Sequence, residues 1–394
     1  MKAAPSLIPK AVLARLRQFP SIAVAVSGGG DSMALLLLMK QHLTPSQSLS
    51  AVTVDHALRK SSAGEARQVK VWSKSLGIAH TTLKWRHGEI KTGIQAKARH
   101  ARYQLMADWC AKHKIDALLT AHTKDDQAET VAMRMARTSS AKSLSAIWPE
   151  TEIGGLMILR PLLSARREQL RDYLTINDQA WLEDPSNTDP RFERARLRGA
   201  GVALSLAGTA DEAQRKIKTA KRAAQKWLTQ NLRRDVSSMV EFETEPFTKL
   251  TSPAQDEALI AIIEMLGGKV PELVKRQALL NWLKKPIATR RSLGGVIFAL
   301  RKNSVRVGRE PSRISASTIQ LAPTKALVWD NRFLATGPKG STITFKAKVK
   351  ALKRIKNLPA FVDQGLPVIM AGDEVLATPH FSHHQKAKLT FLTK

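Results

Sequence analysis

Apolar residues in the first half of the chain alternate between short runs and longer helical stripes. The runs at 21–26, 50–54, 80–85, 117–120 and 156–159 each predict a strand. Between and after them the spacing predicts helices over about 33–39, 62–76, 95–113, 123–135 and 164–176. The second of these carries its own punctuation, with Ser62 and Glu65 spaced as a capping box and Gly77 just past its end. Strand and helix in steady alternation predict an α/β fold, a parallel sheet with helices on both faces. Ligands of such sheets bind beyond the carboxyl ends of the strands.

The texture changes near Ala210. A basic helix is predicted from Ala210 to Arg234, with further helical spacing over 255–266 and 272–283. After about Arg313 short strands and turns take over, at 326–329, 337–340, 341–345 and 366–370. The expected organisation is an α/β domain over 1–205, a helical domain over 206–312 and a small β-rich C-terminal domain over 313–394.

Composition adds one strong constraint. The 394 residues include 63 Lys and Arg against 33 Asp and Glu, a formal net charge of +30. So basic a chain repels itself unless it meets a polyanion, and nucleic acid leads because each neutralised phosphate releases counterions. The plainer alternative is a merely basic enzyme. The single cysteine, Cys110, lies in a helical apolar stretch with Tyr103, Met106 and Trp109, which predicts a buried thiol and excludes an intrachain disulfide. The longest apolar run, Met33 to Met39, is far short of the ~20 residues that span a bilayer. The segment from Met1 to Pro5 does not lead into an apolar signal core. These features predict a cytoplasmic protein with no membrane association.

The richest chemistry sits at the predicted strand ends. Ser27, Gly28, Gly29, Gly30, Asp31 and Ser32 join the first strand to the first helix. Glycines let backbone N–H groups approach a ligand, and a helix start adds partial positive charge. No Lys follows, so this is not the Walker loop. Asp31 beside phosphates calls for a cation such as Mg²⁺, with a helix cap as its plainer alternative. Asp55 and His56 end the second strand, and only their place beside the loop suggests a nucleotide. Arg99 and Arg102 share a helix face, equally suited to a phosphate or to solvent. His122, Asp125, Asp126 and Glu129 crowd into a turn and a half. Such a cluster suits holding a cationic amine or moving a proton. Capping by Thr123 with Asp126 accounts for part of it. Arg191, Arg194, Arg196 and Arg198, and later Lys218 and Arg222, are candidates for phosphate-backbone contact, against a plain solvated face.

The Ser27–Ser32 string resembles the signature of the PP-loop ATP pyrophosphatases, which split ATP between the α and β phosphates. With the later motifs in this order, the chain resembles the tRNA(Ile)-lysidine synthetase family, well from Ser21 to about Arg198 and more loosely beyond. The resemblance implies a ligase that adenylates the first anticodon cytidine of an isoleucine tRNA. Free L-lysine then displaces AMP. It implies Ser27–Ser32, Asp55 and His56 for ATP, Asp31 for Mg²⁺ and Arg102 for the adenylate phosphate. Asp126 and Glu129 would hold lysine, with His122 assisting. Arg191, Arg194, Arg198, Lys218 and Arg222 would hold tRNA. The chain departs from the family at Arg137–Leu144, where a loop beginning Arg-Gly is usual and no glycine stands here. A tRNA thiolase on the same scaffold would need paired cysteines, and a non-catalytic RNA-binding protein would not need the acids. The oligomeric state stays open between monomer and homodimer.

Overall fold

The computed structural model describes residues 7–57, 61–88, 92–137, 141–183, 193–201, 204–284, 289–314, 318–323, 325–349, 352–382 and 384–392. The chain divides into two compact units, Met1–Lys216 and Ile217–Lys394.

In the first unit the order is α1 (Lys10–Leu16), β1 (Ser21–Ala25), α2 (Gly30–His42), β2 (Ser48–Asp55), α3 (Ser62–Ser75), β3 (Ala79–Lys84) and α4 (Ile94–Lys112). Then come β4 (Ala117–Leu119), α5 (Lys124–Met135), α6 (Ala141–Leu144), β5 (Glu150–Ile153), β6 (Leu156–Leu159), α7 (Arg167–Ile176) and α8 (Glu193–Gly199). Helix α9 (Leu206–Asn231) contains the boundary between the units. The six strands lie in the order β3-β2-β1-β4-β6-β5. All pairings are parallel except β5 with β6. That edge strand escapes the sequence pattern because it is half polar; Gly154 and Gly155, at φ of +58° and +80°, turn it back onto β6.

Alternation along β1 sorts side chains to two faces. Ile22 and Val24 join α2, α3 and α7 residues such as Leu36, Val69 and Leu170 in one core. Ala23 faces the other way, with Met106, Trp109 and Cys110 of α4. Residues Ser32 to Met39 of α2 are all buried, so the helix is apolar all round rather than striped. One expectation at α3 needs correcting. The helix starts one residue earlier in its capping than Ser62 implied: Ser61 is the N-cap and its hydroxyl donates to Glu65 at 2.8 Å. The Ser62 hydroxyl is spent instead on Asp55. Gly77 does close the helix, at φ +67°.

Strand order reverses at β1. The chain leaves β1 for β2 and β3 on one side, then returns to β4 on the other. The loop after β1 and the turn after β4 therefore flank the crevice where such sheets bind ligands.

In the second unit, helices Ser252–Met265 and Leu273–Leu283 share the stretch read as helical with a five-stranded antiparallel sheet. Its hairpins, 290–300 and 296–309, have strands of only four to six residues, too short to show against the helical text. Arg233–Arg234, expected to end the basic helix, form a strand in that sheet. Trp227 packs edge-on against Phe242 and Phe247 at its core. Beyond 313 the chain forms two antiparallel sheets of five and three strands, as the turn-rich pattern implied.

Cys110 is fully buried, and desolvation pushes its thiol up to about 12. A thiol-specific disulfide reagent should leave the native protein unmodified at pH 8 and label one thiol per chain only on unfolding. Rapid labelling of the native protein would contradict this burial.

Candidate active site

The loop after β1 is shaped at Gly28 by contacts that leave no room for a side chain. Gly28 sits at φ +92°, and a Cβ there would lie 2.6 Å from Leu182 and 2.9 Å from Val69. The Gly28 carbonyl accepts from the Leu182 amide at 2.8 Å, which ties the 181–183 segment across the loop. Ser32 stitches the loop to α2: its hydroxyl donates to the Gly29 carbonyl at 2.8 Å and accepts from the Ser27 amide at 3.2 Å. Gly29 is the N-cap, and no side chain caps the helix. The first-turn N–H groups thus remain the donor set that a helix start offers an anion.

Asp31, free of any capping duty, reaches across the crevice. The Arg167 guanidinium at the start of α7 joins it to the acidic turn after β4. Arg167 Nε donates to Asp31 Oδ2 at 3.1 Å, Nη2 to Asp126 Oδ1 at 3.0 Å and Nη1 to Glu129 Oε1 at 3.3 Å. The Arg167 amide donates to Asp125 Oδ2 at 2.8 Å, so Asp125 satisfies the first turn of α7. Arg198 of α8 grips Glu129 from the other side, 2.7 Å from Nε to Oε1 and 3.3 Å from Nη2 to Oε2. Asp31 of the phosphate-type loop and Asp126 of the acid cluster, 95 positions apart in the chain, are therefore joined in one site.

Asp126 serves two roles. Its Oδ2 accepts from the Thr123 amide at 2.9 Å and hydroxyl at 3.0 Å, completing a capping box, while Oδ1 faces Arg167. Capping and ligand-type chemistry thus share one carboxylate. Asp55 is likewise tied locally, accepting from the Ala57 amide at 2.8 Å.

The electrostatics follow from this crowding. Burial raises the Asp31 pKa, Arg167 opposes that, and Asp126 and Asp125 add to it. For Asp126 burial also pushes up, but Arg167, the Thr123 bonds and His122 outweigh it and the pKa falls. Burial would lower the Arg167 pKa, yet Asp126, Asp31 and Glu129 hold its charge in place. His122 is pushed down to about 4, chiefly by burial, with Arg160, Arg99 and Arg102 adding to it and Asp126 opposing. Burial, then Arg102, also lowers His56. Arg102 is thus electrostatically close to both histidines. Its guanidinium and that of Arg99 lie over the Tyr103 ring, 5.4 and 5.1 Å from its centre. At neutral pH His122 is an uncharged imidazole, with Nδ1 3.0 Å from the Thr120 hydroxyl.

Lys218 and Arg222 are exposed on α9, Arg194 lies on α8, and Arg191 is outside the described residues. So are residues 138–140 of the glycine-free loop. Arg198 is directed at Glu129. Arg167 escaped the sequence reading altogether, although it carried a signal: an arginine in a helix's first turn opposes the macrodipole and implies a nearby carboxylate.

Among the described residues no group of three or more His, Cys, Asp or Glu side chains forms a ready metal cage. Only Oδ2 of Asp31 is engaged there. One partly committed carboxylate beside an anion cradle fits Mg²⁺ carried in by phosphates, since Mg²⁺ commonly takes one or two carboxylates and completes its shell with phosphate oxygens and water.

Comparison with known proteins places the chain among relatives. A family model described as a PP-loop domain matches residues 7–202. The chain is 32% identical over 410 residues to the tRNA(Ile)-lysidine synthase of Rhizobium meliloti (strain 1021), covering 98% of this chain and 88% of the relative. It is 35% identical to the enzyme of that name from Ruegeria pomeroyi, covering 80% of this chain and 77% of the relative. The Bradyrhizobium diazoefficiens enzyme of that name is also 35% identical, with coverages of 77% and 94%.

Two outcomes follow. Gly28→Ala should lower unfolding stability by about 1–3 kcal/mol, read by urea denaturation, because a Cβ meets Leu182 and Val69 at a strained φ. His122 binds its proton more weakly folded than unfolded, so stability tied to it is complete above pH ~6.5 and drains away as pH falls toward 4. Denaturation midpoints of His122→Asn should therefore fall less steeply than wild type between those values; parallel curves would refute the depressed pKa.

Proposed function

The chain belongs to the tRNA(Ile)-lysidine synthase family, and from that premise we propose that it joins free L-lysine to the first anticodon cytidine of an isoleucine tRNA, using ATP. The observation that carries the reading is the Arg167 bridge, which brings Asp31 of the phosphate-type loop and the Asp126–Glu129 pair around one guanidinium. A nucleotide α-phosphorus at the loop and a cationic amine at the acids would then face the same base.

In this reading the reaction has two steps. The cytidine carbonyl oxygen attacks the α-phosphorus; a P–O bond forms, the bond to the β-phosphate breaks, and pyrophosphate leaves. The lysine ε-amine then attacks the ring carbon; a C–N bond forms, the C–O bond breaks, and AMP departs with the former carbonyl oxygen. Ser27, Gly28, Gly29, Gly30 and Ser32 would cradle the phosphates, with Asp55 and His56 toward the nucleoside. Arg102 would neutralise the adenylate phosphate. Asp126 and Glu129 would bind the lysine ammonium and take up its proton, since only the neutral amine is nucleophilic. His122, already uncharged, can accept a hydrogen bond from that amine without adding repulsion. Asp31 would hold Mg²⁺, which would offset charge on the phosphates.

The division into a catalytic region (1–205), a helical region (206–312) and a β-rich tail (313–394) belongs to the same proposal. Arg191, Arg194, Lys218 and Arg222 would contact the tRNA backbone, in keeping with the net charge of +30, whereas Arg198, expected among them, is taken by Glu129. Sulfur transfer is disfavoured. Cys110 is the sole cysteine, buried and with its thiol pushed up to about 12, so no sulfur carrier exists.

Labelled lysine should enter an isoleucine tRNA transcript with a cytidine-first anticodon, in the presence of ATP and Mg²⁺. A transcript with that cytidine replaced should take up none. Asp126→Asn, which can still cap α5, should cut incorporation at least ~100-fold while tRNA affinity stays within about twofold. Equal loss of both would remove the amine role from Asp126.

A further inference from the structure

The oxygens assigned to the amine are already occupied. Asp126 Oδ2 takes both Thr123 donors, and its Oδ1 takes Arg167. Glu129 Oε1 takes both Arg167 and Arg198, and its Oε2 takes Arg198. Glu129 is only 3% exposed and Asp126 11%. A lysine ammonium carries three donors and needs two or three acceptors in place of lost water. The bonds to Thr123, Arg167 and Arg198 leave it one further lone pair on Asp126 Oδ1 and one on Glu129 Oε2, and the Arg167 guanidinium stands against both carboxylates.

The two arginines hold differently. Arg198 meets Glu129 through two nitrogens as a bidentate pair, with only a longer 3.9 Å approach of Nη2 to Asp126 Oδ1. Arg167 divides three nitrogens among three separate carboxylates, one of them on the loop assigned to ATP. Its hold therefore weakens when any one carboxylate finds another cation. Arrival of a metal–nucleotide at Asp31 would remove one of its three partners and supply phosphate oxygens as new ones.

We propose that Arg167 occupies the seat of the incoming ammonium in the resting protein, so that lysine binds by exchange with this internal cation and ATP binding at Asp31 favours the exchange. Arg167 is thereby a specificity-determining residue: a ligand must displace a guanidinium from buried carboxylates, which a neutral or anionic amino acid cannot do. The resting occupant also holds the acids in place before lysine arrives. This inference rests on the lysine-ligating reading above.

The test compares wild type with Arg167→Lys, reading the KM for lysine at saturating tRNA and ATP and lysine binding with and without a non-hydrolysable ATP analogue, with folding checked by thermal denaturation. Arg167→Lys keeps a cation but cannot span three carboxylates. Its KM for lysine should fall at least threefold, and lysine binding should lose its dependence on ATP. An unchanged or higher KM for lysine overturns the proposal. The wild-type protein supplies an answer that no folding defect obscures: in its crystal structure with lysine and a non-hydrolysable ATP analogue, Arg167 Nη2 should stand beyond 4 Å from Asp126 Oδ1. Retention of the 3.0 Å contact beside bound lysine overturns it equally. Absence of lysine incorporation by wild type would instead sink the functional reading itself.

Discussion

The site is organised by a cation shared among carboxylates. Asp31, Asp126 and Glu129 come from a loop and a helix that follow different strands, and each is partly or wholly withdrawn from water. Without a positive partner such a group would take up protons or force the crevice open. Arg167 supplies that partner, and does so from a third element, α7. Because removing one partner from a buried ionic network costs about 3–5 kcal/mol, the positions of β1, β4 and α7 are bound to the charge balance of the crevice. The fold and the site are in this sense one structure.

That arrangement separates two tasks usually credited to the same residue. Asp126 caps α5 through one oxygen and presents the other to a cation. The cap fixes the carboxylate's direction before any ligand arrives, and a preoriented carboxylate loses less entropy on binding. His122 shows the same economy of means. Burial and three nearby arginines keep it neutral, so it can stand next to an ammonium without repelling it.

The basic character of the chain has a different origin from the arginines of the site. Arg167 and Arg198 are consumed by carboxylates, whereas Lys218 and Arg222 stand exposed on α9. The excess of 63 Lys and Arg over 33 Asp and Glu sets the field that a polyanion meets at a distance.

The one-dimensional text already determined the α/β alternation, the glycine-rich loop and the acid cluster, because period-two runs, φ-positive glycines and helix-start acids leave local marks. It also indicated the buried thiol of Cys110. It did not disclose β5 or the short hairpins of the second unit, whose strands are too brief or too polar to leave a rhythm. Nor did it disclose Arg167, whose place depends on three carboxylates 38 to 136 positions away. The expected Ser62 capping box at α3 is not formed because the Ser62 hydroxyl bonds Asp55 instead, a tertiary matter. Local sequence can say that an acid stands at a helix start; only the closed fold decides which cation it meets there.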